Sequence, residues 1–160
     1  MLFLDVDGVL NTSLQPGGKY VHPLLVKRLK KVVDATNCKI IMSSTWRKRD
    51  DYMQYLRGML EDVGISSSIA GATPSLPLTN AEGVILTPEQ LRADEIKAFV
   101  RDEGGEGVKR WAAVDDLDLN RELGEHFVRT NVESGLSSTN VVTLIEIMCD
   151  TDEIETAQKG

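Results

Sequence analysis

The chain has 160 residues, 41% of them apolar and 27% charged, which suits one domain with a packed core over residues 1–160. Its 25 acidic side chains outnumber 18 Lys and Arg, and the net charge of −7 argues against a general nucleic-acid binder, which needs a basic face to neutralise phosphates. Two cysteines, Cys38 and Cys149, exclude a disulfide scaffold and a four-cysteine zinc site, and no apolar run reaches the roughly 18 residues that span a bilayer. Asp5 and Asp7 interrupt the apolar start Met1-Leu2-Phe3-Leu4, unlike a signal peptide, so the expected setting is cytoplasmic and reducing, with no membrane partner.

Strand and helix patterns alternate along the chain. Met1 to Asp5 is a short apolar run ending in acids. Residues 21–33 carry Leu24, Leu25, Leu29, Val32 and Val33 at helical spacing. Lys39 to Met42 predicts a second buried strand that ends at Ser43-Ser44-Thr45. Asp50 to Val63 predicts a helix stopped by Gly64, and residues 67–71 a weak strand. Pro74, Pro77, Gly83 and Pro88 mark residues 74–88 as a loop. Leu91 to Val100 predicts a helix, and residues 101–107 a polar, Gly-rich turn. Arg110 to Val114 predicts a third clear strand, ending at Asp115 and Asp116. Residues 126–130 predict a last strand and residues 139–154 a closing helix. This alternation implies an α/β fold, a parallel sheet with helices on both faces. Ligands in such folds sit beyond the carboxyl ends of the strands, where three chemically loaded clusters would converge here.

Each cluster has a structural and a chemical reading. Asp5-Val6-Asp7-Gly8 is either a solvated strand end with a turn at Gly8, or a hard-cation site in which one carboxylate also attacks a substrate. Asp115-Asp116 alone reads as an exposed loop start, and beside the first cluster as carboxylate ligands for magnesium. Ser43-Ser44-Thr45 reads as a helix cap, a geometry that also holds phosphate. Arg92 falls in the first turn of a predicted helix, where its charge opposes the helix dipole, so pairing with an aspartate and a phosphate gives it a reason to be there. Lys97, a turn further on, is the alternative. Trp46-Arg47-Lys48-Arg49 reads as a solvated helix start or as a patch that steers an anion. His22 and His126 are isolated, and no Ser-His-Asp arrangement emerges.

With these clusters in order, the chain resembles the haloacid dehalogenase (HAD) superfamily of aspartate-nucleophile phosphotransferases. Leu2 to Leu10 is similar to the first motif, Ile40 to Ser44 to the second, Arg92 to the third and Val114-Asp115-Asp116 to the fourth. Val9 stands where the first motif often has Thr. The resemblance implies a three-layer Rossmann-like fold and a Mg2+-dependent phosphatase with Asp5 as nucleophile and Asp7 as general acid and base. It implies metal ligation by Asp5, the backbone carbonyl of Asp7 and Asp115, with Asp116 in support. It also implies that Gly8, Ser44 and Arg92 take the substrate phosphate. Family members that cleave carbon–halogen bonds lack the second aspartate, so Asp7 favours phosphoryl transfer. Ser44, two residues before Trp46, and the run Asn131 to Leu136 also resemble the phosphatase domains of nucleic-acid repair proteins.

Large members of the superfamily carry a cap between motifs. Neither residues 8–42 nor residues 46–91 have room for more than a minimal flap, with Asn11 to Tyr20 as its expected hairpin. An open site suits a bulky phosphorylated substrate: a phosphoprotein, a nucleic-acid end or a large metabolite. The alternatives are a catalytically silent phosphate-binding module and a phosphotransferase whose acceptor is not water.

Overall fold

Strict alternation in three short strands sorts the core onto two faces of one sheet. The computed structural model describes residues 1–15, 20–102, 108 and 110–149. Its elements are β1 (Leu2–Leu4), α1 (Pro23–Thr36), β2 (Ile40–Met42), α2 (Asp50–Glu61), β3 (Ile69–Ala72), α3 (Pro88–Asp102), β4 (Ala112–Asp115), α4 (Asn120–Leu123), β5 (Phe127–Arg129) and α5 (Ser138–Met148). All strand pairs are parallel, in the order β3-β2-β1-β4-β5. The α/β, Rossmann-like architecture expected from the alternating pattern is therefore observed. Leu2, Leu4, Ile40, Met42, Ala112 and Val114 pack towards α1, α2 and α5. Phe3, Ile41, Ala113 and Phe127 pack towards α3 and α4. These strands are buried on both faces, which is why they read as continuous apolar runs. No helix among the described residues is long and apolar enough to cross a membrane.

The chain builds outward from β1 to β3, then returns across the sheet to β4 beside β1. The order reverses between β1 and β4, and their carboxyl ends form the crevice that such folds use for ligands. Local rules fix the helices that flank it. Pro23 opens α1, capped by His22, whose Nδ1 accepts the Leu24 N–H at 3.1 Å. His22 thus has a local structural duty. His126 does too: its ring stacks on Trp111 at 4.1 Å and Nδ1 meets the Trp111 carbonyl at 2.9 Å.

Helix α3 begins one turn earlier than its apolar spacing predicts. Thr87 and Gln90 exchange hydrogen bonds of 3.0 and 3.2 Å, a reciprocal cap with Pro88 at the first helical position. Arg92 consequently lies in the second turn of α3, where the opposing dipole is weaker. The segment read as a loop over 74–88 contains a small hairpin: Thr79 and Ile85 form an antiparallel bridge, and Leu78 and Ile85 are 67% and 77% exposed. Helix α5 ends at Met148, and the part of the expected closing helix beyond Cys149 lies outside the described residues. So do residues 103–107 of the predicted turn and residues 16–19 of the expected flap. Arg101 and Asp102, the first residues of that predicted turn, continue α3 instead.

The basic run after β2 is not a solvated helix start throughout. Arg47 turns inward, with its side chain 5% exposed, and pairs with the equally buried Glu95 of α3 at 2.8 Å. Its remaining N–H groups donate to the carbonyls of Ser43, Ser44, Thr73 and Pro74. Glu95 also accepts the Leu76 N–H at 3.2 Å. This network ties the end of β2 to α3. Arg49 is engaged as well, with Asp51 at 2.8 Å and over the Tyr52 ring at 4.3 Å. Removing one partner of a buried pair strands the other charge, so Glu95→Ala is expected to cost about 3–5 kcal/mol in urea unfolding. A loss below about 1 kcal/mol, the scale of an exposed pair, would contradict this role.

Candidate active site

Sheet periodicity aims the acids. Asp5 and Asp115 follow Phe3 and Ala113 by two residues and so share the face that α3 covers. The Asp5 N–H donates to the Val114 carbonyl at 3.1 Å and continues the β1–β4 ladder past its last paired residues. Asp5 and Asp115 are 5% and 1% exposed, and Asp116 is half-buried. One oxygen from each of the three lies within 4.8 Å of the others. Arg92 reaches in from α3, with Nη1 at 3.2 Å from Asp5 Oδ1 and at 2.5 Å from Asp115 Oδ2. Lys97, the alternative basic residue, pairs with Glu122 at 3.1 Å.

Burial, followed by the neighbouring Asp5, pushes the Asp115 carboxyl up to about 8. Burial likewise raises Asp5, against the pull of Arg92, the Val6 N–H and the Ser44 hydroxyl. Burial works against the charge of Arg92, but Asp115 and Asp5 hold its guanidinium above the ordinary range. Once ionised, as metal binding requires, the three carboxylates set three negative charges against the single positive charge of Arg92, a deficit of two. An all-oxygen donor set with a deficit of two charges fits a hard divalent cation such as Mg2+.

The second motif resolves into two different serines. The Ser44 hydroxyl acts to lower the Asp5 carboxyl, and its Oγ accepts the Trp46 N–H at 3.2 Å, capping a 3-10 turn over Thr45–Lys48. Ser43 is buried too, and its hydroxyl has no hydrogen-bond partner among the described residues. Ser44 is the serine whose hydroxyl bears on the Asp5 carboxyl.

Asp7 and Gly8 belong to the loop after β1. Asp7 is exposed, with Oδ1 accepting from Asn11 Nδ2 at 2.8 Å and Oδ2 from Trp46 Nε1 at 3.1 Å. Gly8, expected to take phosphate, donates its N–H to Asn11 Oδ1 at 2.9 Å, and its carbonyl accepts from the Thr130 hydroxyl at 2.7 Å. Its backbone has φ +74°, and a Cβ there would come within 2.7 Å of Asp116. The missing side chain is what admits Asp116 to the cluster. The run Asn131 to Leu136 backs this loop: the Ser13 N–H donates to the Val132 carbonyl at 2.9 Å and the Leu136 N–H to the Val9 carbonyl at 2.8 Å. Asp116, Arg129, Thr130, Asn131, Val132 and Glu133 line an open cleft of about 720 Å3 beside the acids.

Sequence reasoning gives Asn11 only as the start of the expected flap, Thr130 only as the end of a strand, and Trp46 only as an aromatic in a basic run and as the marker that follows Ser44. Asn11, three residues after Gly8, carries a turn-forming signal. Thr130 carries none, because its partner is 122 residues away.

With this geometry, the chain belongs to the HAD superfamily, in the family described as the HAD domain in Swiss Army Knife RNA repair proteins, whose model matches residues 1–141. No curated protein and no solved structure matches it. Fold and family are those of HAD-type phosphatases.

Two outcomes follow from the geometry. Gly8→Ala strains a left-handed position, expected to cost about 1–3 kcal/mol in urea unfolding, and displaces Asp116. Unchanged stability together with an unchanged magnesium titration would contradict the packing described. The raised Asp115 carboxyl keeps a proton in the folded chain that the unfolded chain has lost between about pH 4 and about pH 8. Its contribution to metal-free stability therefore falls as pH rises through that window. Magnesium must replace the proton, so its effect on the thermal midpoint is expected to grow over the same window and to vanish in Asp115→Asn. Melting curves with magnesium and with a chelator check this, and a pH-independent shift retained by the variant would refute it.

Proposed function

We propose that the chain is a Mg2+-dependent phosphatase that hydrolyses phosphate monoesters through a phosphoaspartate on Asp5. The observation that carries this reading is the cluster of Asp5, Asp115 and Asp116 at the sheet's point of reversal, with Arg92 paired to Asp5 and Asp115. Asp5, Asp115 and Asp116, with the backbone carbonyl of Asp7, are the groups that would hold Mg2+, which supplies a Lewis acid for the phosphoryl oxygens.

In the first half-reaction, a carboxylate oxygen of Asp5 attacks phosphorus as the ester P–O bond breaks. Protonated Asp7 gives its proton to the departing alkoxide, which leaves as the alcohol. Water then attacks the same phosphorus, and Asp7 takes its proton. The bond between Asp5 and phosphorus breaks, releasing inorganic phosphate and restoring both the Asp5 carboxylate and the Asp7 acid. Arg92 holds Asp5 in its attacking position and balances charge as it spreads over the phosphoryl oxygens. The Ser44 hydroxyl, at the head of its 3-10 turn, orients the phosphoryl group.

The leaving group lies in the cleft beside Asp116, which accommodates a bulky substrate. A phosphorylated RNA end is the substrate class we favour, because RNA repair is named in the description of the matching family. The acidic balance of the chain suits recognition of an end better than contact along a polyanion. The short Arg92–Asp115 contact favours one second reading, a phosphate-binding module without turnover in which the guanidinium keeps the cation's place.

Hydrolysis of p-nitrophenyl phosphate with and without Mg2+, in wild type and Asp5→Asn, tests the assignment. Magnesium-dependent release is expected in wild type, and none above background in a folded Asp5→Asn variant. Near-normal turnover by that variant would remove Asp5 as the nucleophile. Phosphate binding without turnover in wild type would select the second reading. Comparing an oligoribonucleotide bearing a terminal phosphate with a phosphopeptide then separates the substrate classes.

A further inference from the structure

Asp7 is exposed, and an exposed aspartate ordinarily samples several rotamers. Here both carboxylate oxygens have fixed donors, Asn11 Nδ2 at 2.8 Å and Trp46 Nε1 at 3.1 Å. Neither donor is free to wander. Asn11 is buried, and its own oxygen holds the Gly8 N–H at 2.9 Å. Trp46 is 3% exposed, with its ring against Tyr52 at 5.0 Å and Tyr55 at 6.4 Å. The Tyr55 hydroxyl is itself anchored by the Val21 N–H at 3.3 Å. The indole therefore has one orientation, and its single polar atom faces Asp7.

We infer that Trp46, with Asn11, is a positioning residue that aims Asp7 for proton transfer to the leaving oxygen; this rests on Asp7 acting as general acid and base. A carboxyl oxygen has two lone pairs, so one accepted bond on each oxygen still leaves a place for the proton that Asp7 must carry. Proton transfer needs a heavy-atom separation of about 2.6–3.2 Å, and two donors, one on each oxygen, hold a short side chain to that tolerance. Trp46 also donates its backbone N–H to Ser44 Oγ at 3.2 Å. One 3-10 turn thereby carries both the hydroxyl beside the nucleophile and the N–H that fixes the proton donor. Packing alone would ask only for an aromatic ring at position 46; the hydrogen bond asks for an indole.

Trp46→Phe keeps an aromatic side chain and deletes the donor. The readout is the ratio of kcat on p-nitrophenyl phosphate to kcat on a simple alkyl phosphate. Nitrophenolate departs with little protonation, whereas an alkoxide requires it. General acid catalysis contributes roughly 10²–10⁴-fold, and loss of alignment is expected to raise this ratio about tenfold over wild type. The ratio is taken within one sample, so it does not change with the folded fraction. Asn11→Ala removes the other donor without disturbing the aromatic packing and is expected to move the ratio in the same direction. A ratio unchanged in both variants, whatever the loss of activity, would reduce Trp46 and Asn11 to packing roles and overturn the inference. A wild-type protein inactive on both esters would fail at the earlier step, because the phosphatase reading itself would then be wrong.

Discussion

The β1–β4 ladder fixes Asp5 and Asp115 at neighbouring strand ends, both buried and on the same face. The sheet cannot relax to separate them, since the Asp5 N–H and the Asp115 carbonyl are themselves engaged, with Val114 and Thr130. Compensation must come from outside the sheet. Arg92 supplies part of it, from a helix whose Glu95, three residues on, is locked to Arg47 behind β2. The buried Arg47–Glu95 pair is costly to desolvate in its own right. Its geometric effect is to set the distance between the second strand and the helix that bears the counter-charge.

Around this charge centre, the loop after β1 is held from three sides. Thr130 at the end of β5 fixes the Gly8 carbonyl, Asn11 takes the Gly8 N–H, and the 131–136 segment straps the backbone at Val9 and Ser13. Gly135 shows how close that strap lies: at φ +67°, a Cβ would come within 2.6 Å of Leu25 and 2.8 Å of the Val9 carbonyl. The exposed Asp7 thus sits on a backbone with little freedom. Reacting groups held on rigid elements spend less free energy on alignment during reaction.

The β-α order was legible because each buried strand is a short apolar run bounded by polar residues. The acids at Asp5 and Asp115 were legible for the related reason that a run of buried residues ending in carboxylates is conspicuous. What stayed hidden was mostly long-range. Arg47 looked like one of three surface cations, and only its partner Glu95, 48 residues away, turns it inward. Thr130 gives no local sign of bonding to Gly8. The start of α3 was a different miss: Thr87, Pro88 and Gln90 do carry a cap signal, but periodicity weighed on the apolar residues alone places the helix too late. Gly8 as a phosphate ligand came with the family resemblance; the approach of Asp116, visible only in three dimensions, gives its missing Cβ a structural use as well.

The hairpin between β3 and α3 has a consequence for how related chains can diversify. Its tip, Asn80 to Gly83, closes on its own hydrogen bonds and is exposed, and the segment runs between the Arg47–Glu95 strut and the capped start of α3. Lengthening such a loop adds little closure entropy, and exposed tips tolerate insertion. Extra residues grafted at that tip would leave the ladder, the acids and Arg92 where they are. New surface in this architecture can thereby be gained at one peripheral turn, without touching the charge centre beneath it.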